Sequence, residues 1–206
     1  MKEPNQSGKF LLSRRTLLKA VAAGLFAAAV PPLPGAGTAR AQANTGGKKV
    51  LTVYYSRSGN TRAMAQLVHS LAGGDIVELE TVHPYPEGYR STTDQAKREL
   101  EANFYPQLKV TVEDISSYDL IFVGSPSWWG TFASPVRGFL AQHDFSGKKL
   151  APFITHEGSR LGKSLADMQS LCPGAAILEG LAVRGSDAAN ARAEVAQWRQ
   201  RIEAVK

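Results

Sequence analysis

The 206-residue sequence predicts an α/β protein with a mostly parallel sheet covered by helices on both faces. Two observations carry that prediction. Short, uninterrupted apolar runs rich in β-branched residues alternate with amphipathic stretches, and glycine, proline and polar clusters separate them. The composition, 43% hydrophobic and 20% charged, is globular and excludes collagen-like, coiled-coil and wholly disordered chains.

The first strand is VLTVYY, residues 50–55, apolar throughout as a strand buried on both faces requires. Residues 61–71 place Met64, Leu67, Val68 and Leu71 at helical spacing, and Gly73 and Gly74 end the helix. IVELE (76–80) is the second strand, LIFVGS (120–125) the third, APFIT (151–155) the fourth and AAILEGLAV (175–183) the fifth. Helical patterns fill the intervals at 92–103, 135–142, 161–171 and 188–204. The last has Val195, Trp198 and Ile202 on one face. Pro135 suits a first helical turn and Asp187 the cap of the last helix. No internal repeat is present.

One cysteine, Cys172, provides neither an intramolecular disulfide nor a cysteine-cluster metal site; beside Pro173 it reads as a buried helix-end residue. His69, His83, His143 and His156 are scattered, so no metal-ligand cluster is visible. The net charge of +6 is concentrated at one end. Six of the 24 basic residues and one of the 18 acidic ones lie in 1–43, so 44–206 carries a net charge of only +1. A phosphate-binding surface for nucleic acid therefore has no electrostatic support.

Residues 1–43 read as an export signal, with a polar charged start, the uncharged run AVAAGLFAAAV (20–30), prolines, and Ala41, Gln42 and Ala43 as a cleavage site. Eleven apolar residues reach only about half of a ~30 Å hydrocarbon core, so no permanent membrane span is expected. Arg14 and Arg15, preceded by Ser13 and followed by Leu17, Leu18 and Lys19, resemble the twin-arginine motif. That resemblance implies contact with the export machinery and a periplasmic or secreted protein that folds before transport. The Pro/Gly/Ala-rich stretch from Pro31 to Gly47 spans the signal's end and a flexible leader, and the expected folded domain is 44–206.

Open parallel sheets bind ligands beyond the carboxyl ends of their strands. The loop after the first strand, Ser56, Arg57, Ser58, Gly59, Asn60 and Thr61, offers hydroxyls, an amide and a glycine where a helix begins. It suits either one phosphate or an ordinary helix cap. The loop after the third strand, Pro126, Ser127, Trp128, Trp129 and Gly130, puts two large rings where a solvated connection is expected. They serve either a planar aromatic ligand or a structural plug. The loop after the fourth strand brings His156, Glu157 and Gly158. His156 is a candidate for catalysis or a surface hydrogen-bonding residue. GSRLGKS (158–164) has one residue too few between its glycines for a P-loop, and no nucleophile elbow is present.

The stretches VYYSRSGNTR, VGSPSWWGT, P-x-x-T-H-x-G-S from Pro152 and PYPEGY (84–89) together resemble the flavodoxin-like family, in its branch with a double tryptophan. The resemblance covers 48–206. It implies a three-layer sandwich with a five-stranded parallel sheet in the order 2-1-3-4-5. It also implies FMN held non-covalently, with its phosphate on Ser56, Ser58, Gly59, Asn60 and Thr61. The ring would lie against 126–130, with its far edge near His156, Glu157 and Gly158. Ser58 stands where threonine is usual and keeps the hydroxyl. The function implied is an exported FMN oxidoreductase acting on a quinone or other small acceptor, its electron donor unidentified. An electron carrier between redox proteins and a flavin-free binding module are the alternatives.

Overall fold

A computed structural model describes residues 47–110 and 112–204; the expected export signal, its cleavage site and nearly all of the leader lie outside them. The sheet is built on β1 (Val50–Tyr54), which pairs in parallel with β2 (Asp75–Glu78) on one side and with β3 (Leu120–Trp128) on the other. β3 in turn pairs with β4 (Thr131–Phe132) and β5 (Lys149–His156), and β5 pairs with both β6 (Ala176–Ile177) and β7 (Leu181–Arg184).

Alternation along each central strand explains why these runs read as continuously apolar. Leu51, Val53, Ile121, Val123, Leu150 and Ile154 face one core with Val136, Phe139, Leu140 and Met168. Val50, Tyr54, Phe122, Ala151 and Phe153 face the other with Met64, Val68, Trp198 and Ile202. Helices α1 (Asn60–Ala72) and α5 (Arg192–Ala204) thus cover one face, and α3 (Ser134–Gln142) and α4 (Ser164–Leu171) the other. α2 (Tyr89–Glu101) flanks the carboxyl end of β3. Pro135 sits in the first turn of α3, as its fixed φ allows. Cys172 caps α4, is buried, and its thiol is pushed up to about 11 by desolvation.

The five-stranded expectation in the order 2-1-3-4-5 needs correction. The sheet has seven strands, with order β2-β1-β3-β5-β6 and with β4 and β7 off that path. Two local events account for the difference. β3 does not stop at Ser125 but runs on to Trp128 and turns back as a hairpin with β4, so Trp128 belongs to a strand. The expected fifth strand, 175–183, is split into β6 and β7. Between Ile177 and Leu181 the outer chain spends one residue more than β5 spends between Leu150 and Phe153. That extra residue makes a bulge. There Leu178 turns into the core and the Glu179 carbonyl accepts the indole N–H of Trp198 at 2.7 Å. Asp187 also differs from expectation, lying in a 3-10 segment, Gly185–Asn190, ahead of α5.

Candidate functional site

Three of the strands end at one edge, and their loops surround a cleft of about 700 Å³. After β1, the chain enters α1 through Gly59, which takes φ +94 as the N-cap, a left-handed conformation that side chains disfavour. Gly59 N–H donates to Ser56 Oγ at 3.2 Å, and no side chain caps the helix. The N–H groups of the first turn therefore have no intrahelical or side-chain acceptor, the condition in which a helix start holds an anion. Thr61 is 1% exposed and its hydroxyl meets that of Thr155 at 2.7 Å. Arg57 reaches across to the 84–89 segment, donating to the carbonyls of Glu87 and Pro86. It ties that segment to the phosphate-type loop.

The two tryptophans part company. The hairpin between β3 and β4 closes through Trp129 and Gly130 at φ +54 and +79, a two-residue turn with both central residues left-handed. Glycine accepts this readily; tryptophan does so only if something holds it. Here Trp129 Nε1 donates to Thr93 O at 3.0 Å and Lys97 Nζ lies 5.4 Å from the ring centroid, both from α2. Trp129 remains 50% exposed. Trp128 turns inward, edge-on to Tyr85 at 4.8 Å and Tyr55 at 5.6 Å, while still lining the cleft. Tyr85 in turn donates to the buried Glu99 carboxylate at 2.5 Å.

In the loop after β5, Gly158 N–H donates to His156 Nδ1 at 2.9 Å, which leaves Nε2 as the N–H donor of the neutral ring. Desolvation pushes the His156 pKa down, and Arg160 and Arg184 push it further the same way against a smaller opposing effect of Glu157. Ser159 and Ser127 share a hydroxyl contact of 2.7 Å, locking this loop to the tryptophan hairpin.

Of the residues expected from the sequence, Arg57, Ser58, Asn60, Pro126, Ser127, Trp128, Trp129, His156, Glu157 and Gly158 line the cleft. Ser56 and Thr61 lie behind its wall, and Gly59 and Gly130 shape its turns. The structure adds Tyr89, Thr92, Thr93 and Ala96 from α2, Thr155 and Ser159 from β5 and its loop, and Gly185 after β7. The PYPEGY stretch pointed to the start of α2. Nothing in the sequence pattern marked Gly185, where an added Cβ would stand 2.5 Å from both Asn60 Nδ2 and Glu157 Oε1. Among the described residues no group of three or more His, Cys, Asp or Glu could hold a metal ion.

Comparison with known proteins bears on this edge. A family model described as Flavodoxin matches residues 49–202. A flavoprotein from Lactobacillus acidophilus, solved in complex with FMN, superposes with a TM-score of 0.59 at 28% identity, covering 74% of this chain and 99% of that one. The NAD(P)H dehydrogenase (quinone) of Cupriavidus metallidurans is 34% identical over 96 residues, 46% of each chain. The protein of the same name from Rhizobium johnstonii is 29% identical over 66% of this chain and 70% of its own. The chain thus spans less than half the length of the first of these relatives.

Proposed function

This chain belongs to the flavodoxin family, and from that premise we propose that it is an exported FMN-binding oxidoreductase delivering electrons to a quinone or another small acceptor. The observation that carries the reading is the cleft itself. Its volume, about 700 Å³, has the uncapped start of α1 at one end and two tryptophans along one wall. FMN fits this donor set. A Cβ on Gly59 would meet nothing within 4 Å, so the turn leaves room for a phosphate. Ser58 and Asn60 add side-chain donors there. The one short turn from Ser56 into α1 suits a single phosphate, which favours a mononucleotide over a dinucleotide.

When bound, FMN supplies the hydride and single-electron chemistry. The chain would bind its phosphate at the α1 start, wall its ring with Trp128 and Trp129, and hold a neutral His156 in the cleft lining. The cleft stays open beside Tyr89, which is 78% exposed, so a small acceptor has access. The names of the quinone dehydrogenase relatives support that acceptor class. Export rests on Arg14, Arg15 and the 41–43 cleavage stretch, and places the protein in the periplasm or outside the cell.

Absorbance and turnover of protein purified from an export-competent cell test the proposal. The expected outcome is a yellow protein that releases FMN on denaturation and reduces a naphthoquinone with NADH or NADPH. A colourless protein that takes up no added FMN overturns it; a yellow one that reduces only redox proteins assigns a carrier role instead. Replacing Arg14 and Arg15 together by lysine is expected to block export, and an unchanged periplasmic yield would assign the ordinary secretory route.

A further inference from the structure

Three aromatic rings pack edge to face at the cleft wall. Trp128 lines the cleft, and its ring centroid lies 4.8 Å from that of Tyr85 and 5.6 Å from that of Tyr55. The two tyrosines are 6.0 Å apart. They differ in what their hydroxyls meet. Tyr85 donates at 2.5 Å to Glu99 Oε2, and Gln95 Nε2 donates at 2.8 Å to the other carboxylate oxygen. Glu99 is 6% exposed and makes no salt bridge among the described residues. Tyr55 is buried too, but among the described residues its hydroxyl bonds to no carboxylate. A carboxylate that deep, held by two neutral donors and no cation, is costly to keep in a fold. Neither Tyr85 nor Glu99 lines the cleft, so binding a ligand there does not account for the pair.

We propose that Trp128, Tyr85 and Glu99 form a relay that draws one oxidising equivalent out of the cleft and holds it as a neutral Tyr85 radical. The oxidant is a one-electron acceptor in the cleft, of the class that light-excited flavin represents. Trp128 gives it one electron. Tyr85 then returns one electron to Trp128 across their edge contact, while its O–H bond breaks and the proton passes to Glu99 Oε2. At the end the oxidant has gained one electron, Trp128 is restored, Tyr85 is a neutral radical and Glu99 a neutral acid. An oxidised phenol is a strong acid, so tyrosine yields an electron readily only where a base already accepts its proton. Tyr85 has that base and Tyr55 lacks one. Charge favours the same direction: the positive hole moves toward a buried negative charge, an attraction strengthened in a low-dielectric interior, and no buried charge remains afterwards. At rest, burial first and then Glu99 push the Tyr85 pKa upward, so the proton stays on the phenol until the electron leaves. The relay rests on the FMN reading for the oxidant it meets.

In a first arm, the FMN-loaded protein is illuminated with blue light and electron paramagnetic resonance reads the radicals. A neutral tyrosyl signal is expected, kept in Tyr55→Phe and lost in Tyr85→Phe and Trp128→Phe. No such signal in the unaltered protein, or one that survives Tyr85→Phe, overturns the relay. Difference infrared spectroscopy follows the proton: a protonated-carboxyl band is expected to rise with the radical and to be missing in Glu99→Gln. Because that variant removes a buried partner and can fail to fold, the unaltered protein is also compared in light and heavy water. Slower radical formation in heavy water is expected, and equal rates overturn the coupled proton step. A second arm uses the full chain without flavin and azide radicals, which oxidise tryptophan ahead of tyrosine. Conversion of an indole radical into a tyrosyl radical at a rate independent of protein concentration is expected, and it should be lost in Tyr85→Phe; conversion unchanged in that variant overturns the relay. A protein that takes up no FMN ends the oxidoreductase reading, and the azide arm then decides the relay alone.

Discussion

The hydroxyls of Thr61 and Thr155 lie 2.7 Å apart, both buried, and join the first turn of α1 to the carboxyl end of β5. Both segments contribute to the cleft lining, through Asn60 on one and Thr155 and His156 on the other, so one contact between neutral groups sets their spacing.

Removing one member of that pair strands the other in the interior. Thr61→Val and Thr155→Val are each expected to lower stability by about 1–3 kcal/mol, while the double variant loses less than the sum because no polar atom is left unpaired. Denaturant unfolding of the four proteins checks this cycle, and additive losses would show that the hydroxyls do not interact.

Gly185→Ala separates site geometry from folding. The new methyl meets only the ends of Asn60 and Glu157, at 2.5 Å each, and both side chains can swing aside. The melting temperature is expected to shift little, whereas FMN affinity falls about tenfold because Asn60 leaves the α1 start. Titration followed by flavin absorbance reads the affinity; an unchanged value would remove Asn60 from the binding set.

The tryptophans are expected to divide their roles. Trp128→Ala gives up the contacts with Tyr55 and Tyr85 and should cost the apo protein roughly 3 kcal/mol. Trp129→Ala removes a half-exposed ring from a strained backbone position, so it should leave apo stability nearly unchanged. It should weaken FMN by about 1–3 kcal/mol, by analogy with base–aromatic stacking. Melting of the apo forms and FMN titration of both variants decide the assignment. A Trp129→Ala protein that melts early and keeps its affinity would reverse it.

The depressed pKa of His156 has a definite pH consequence. Burial first, then Arg160 and Arg184, disfavour its cation in the folded state. The unfolded chain therefore takes up this proton at about pH 6.5, before the folded one does. Its contribution to stability is intact above pH 6.5 and is lost as pH falls from there toward the folded pKa. NMR titration of the His156 ring is expected to give a midpoint below 6.5, and Arg184→Gln should move it upward. A midpoint at or above 6.5 in the native protein would contradict the picture of a neutral donor.

Much of this protein is local in origin. The strands read as apolar runs because each parallel strand is buried on both faces, and Val195, Trp198 and Ile202 declared the buried side of α5 through spacing alone. Ser58, Asn60, His156 and Glu157 could be placed at one edge once strands and helices alternated, since such a sheet brings the ends of its parallel strands together. Tertiary structure decided the rest. Only packing against α2 holds Trp129 in a left-handed turn and sends Trp128 inward, because neither residue's own preference selects that hairpin. The bulge at Leu178–Gly180 depends on Trp198 of a distant helix claiming the Glu179 carbonyl. Gly185 and Thr155 became site features through contacts far apart in the chain. A periodic pattern records which face of an element is buried, whereas register across the sheet determines which side chains share a cleft wall.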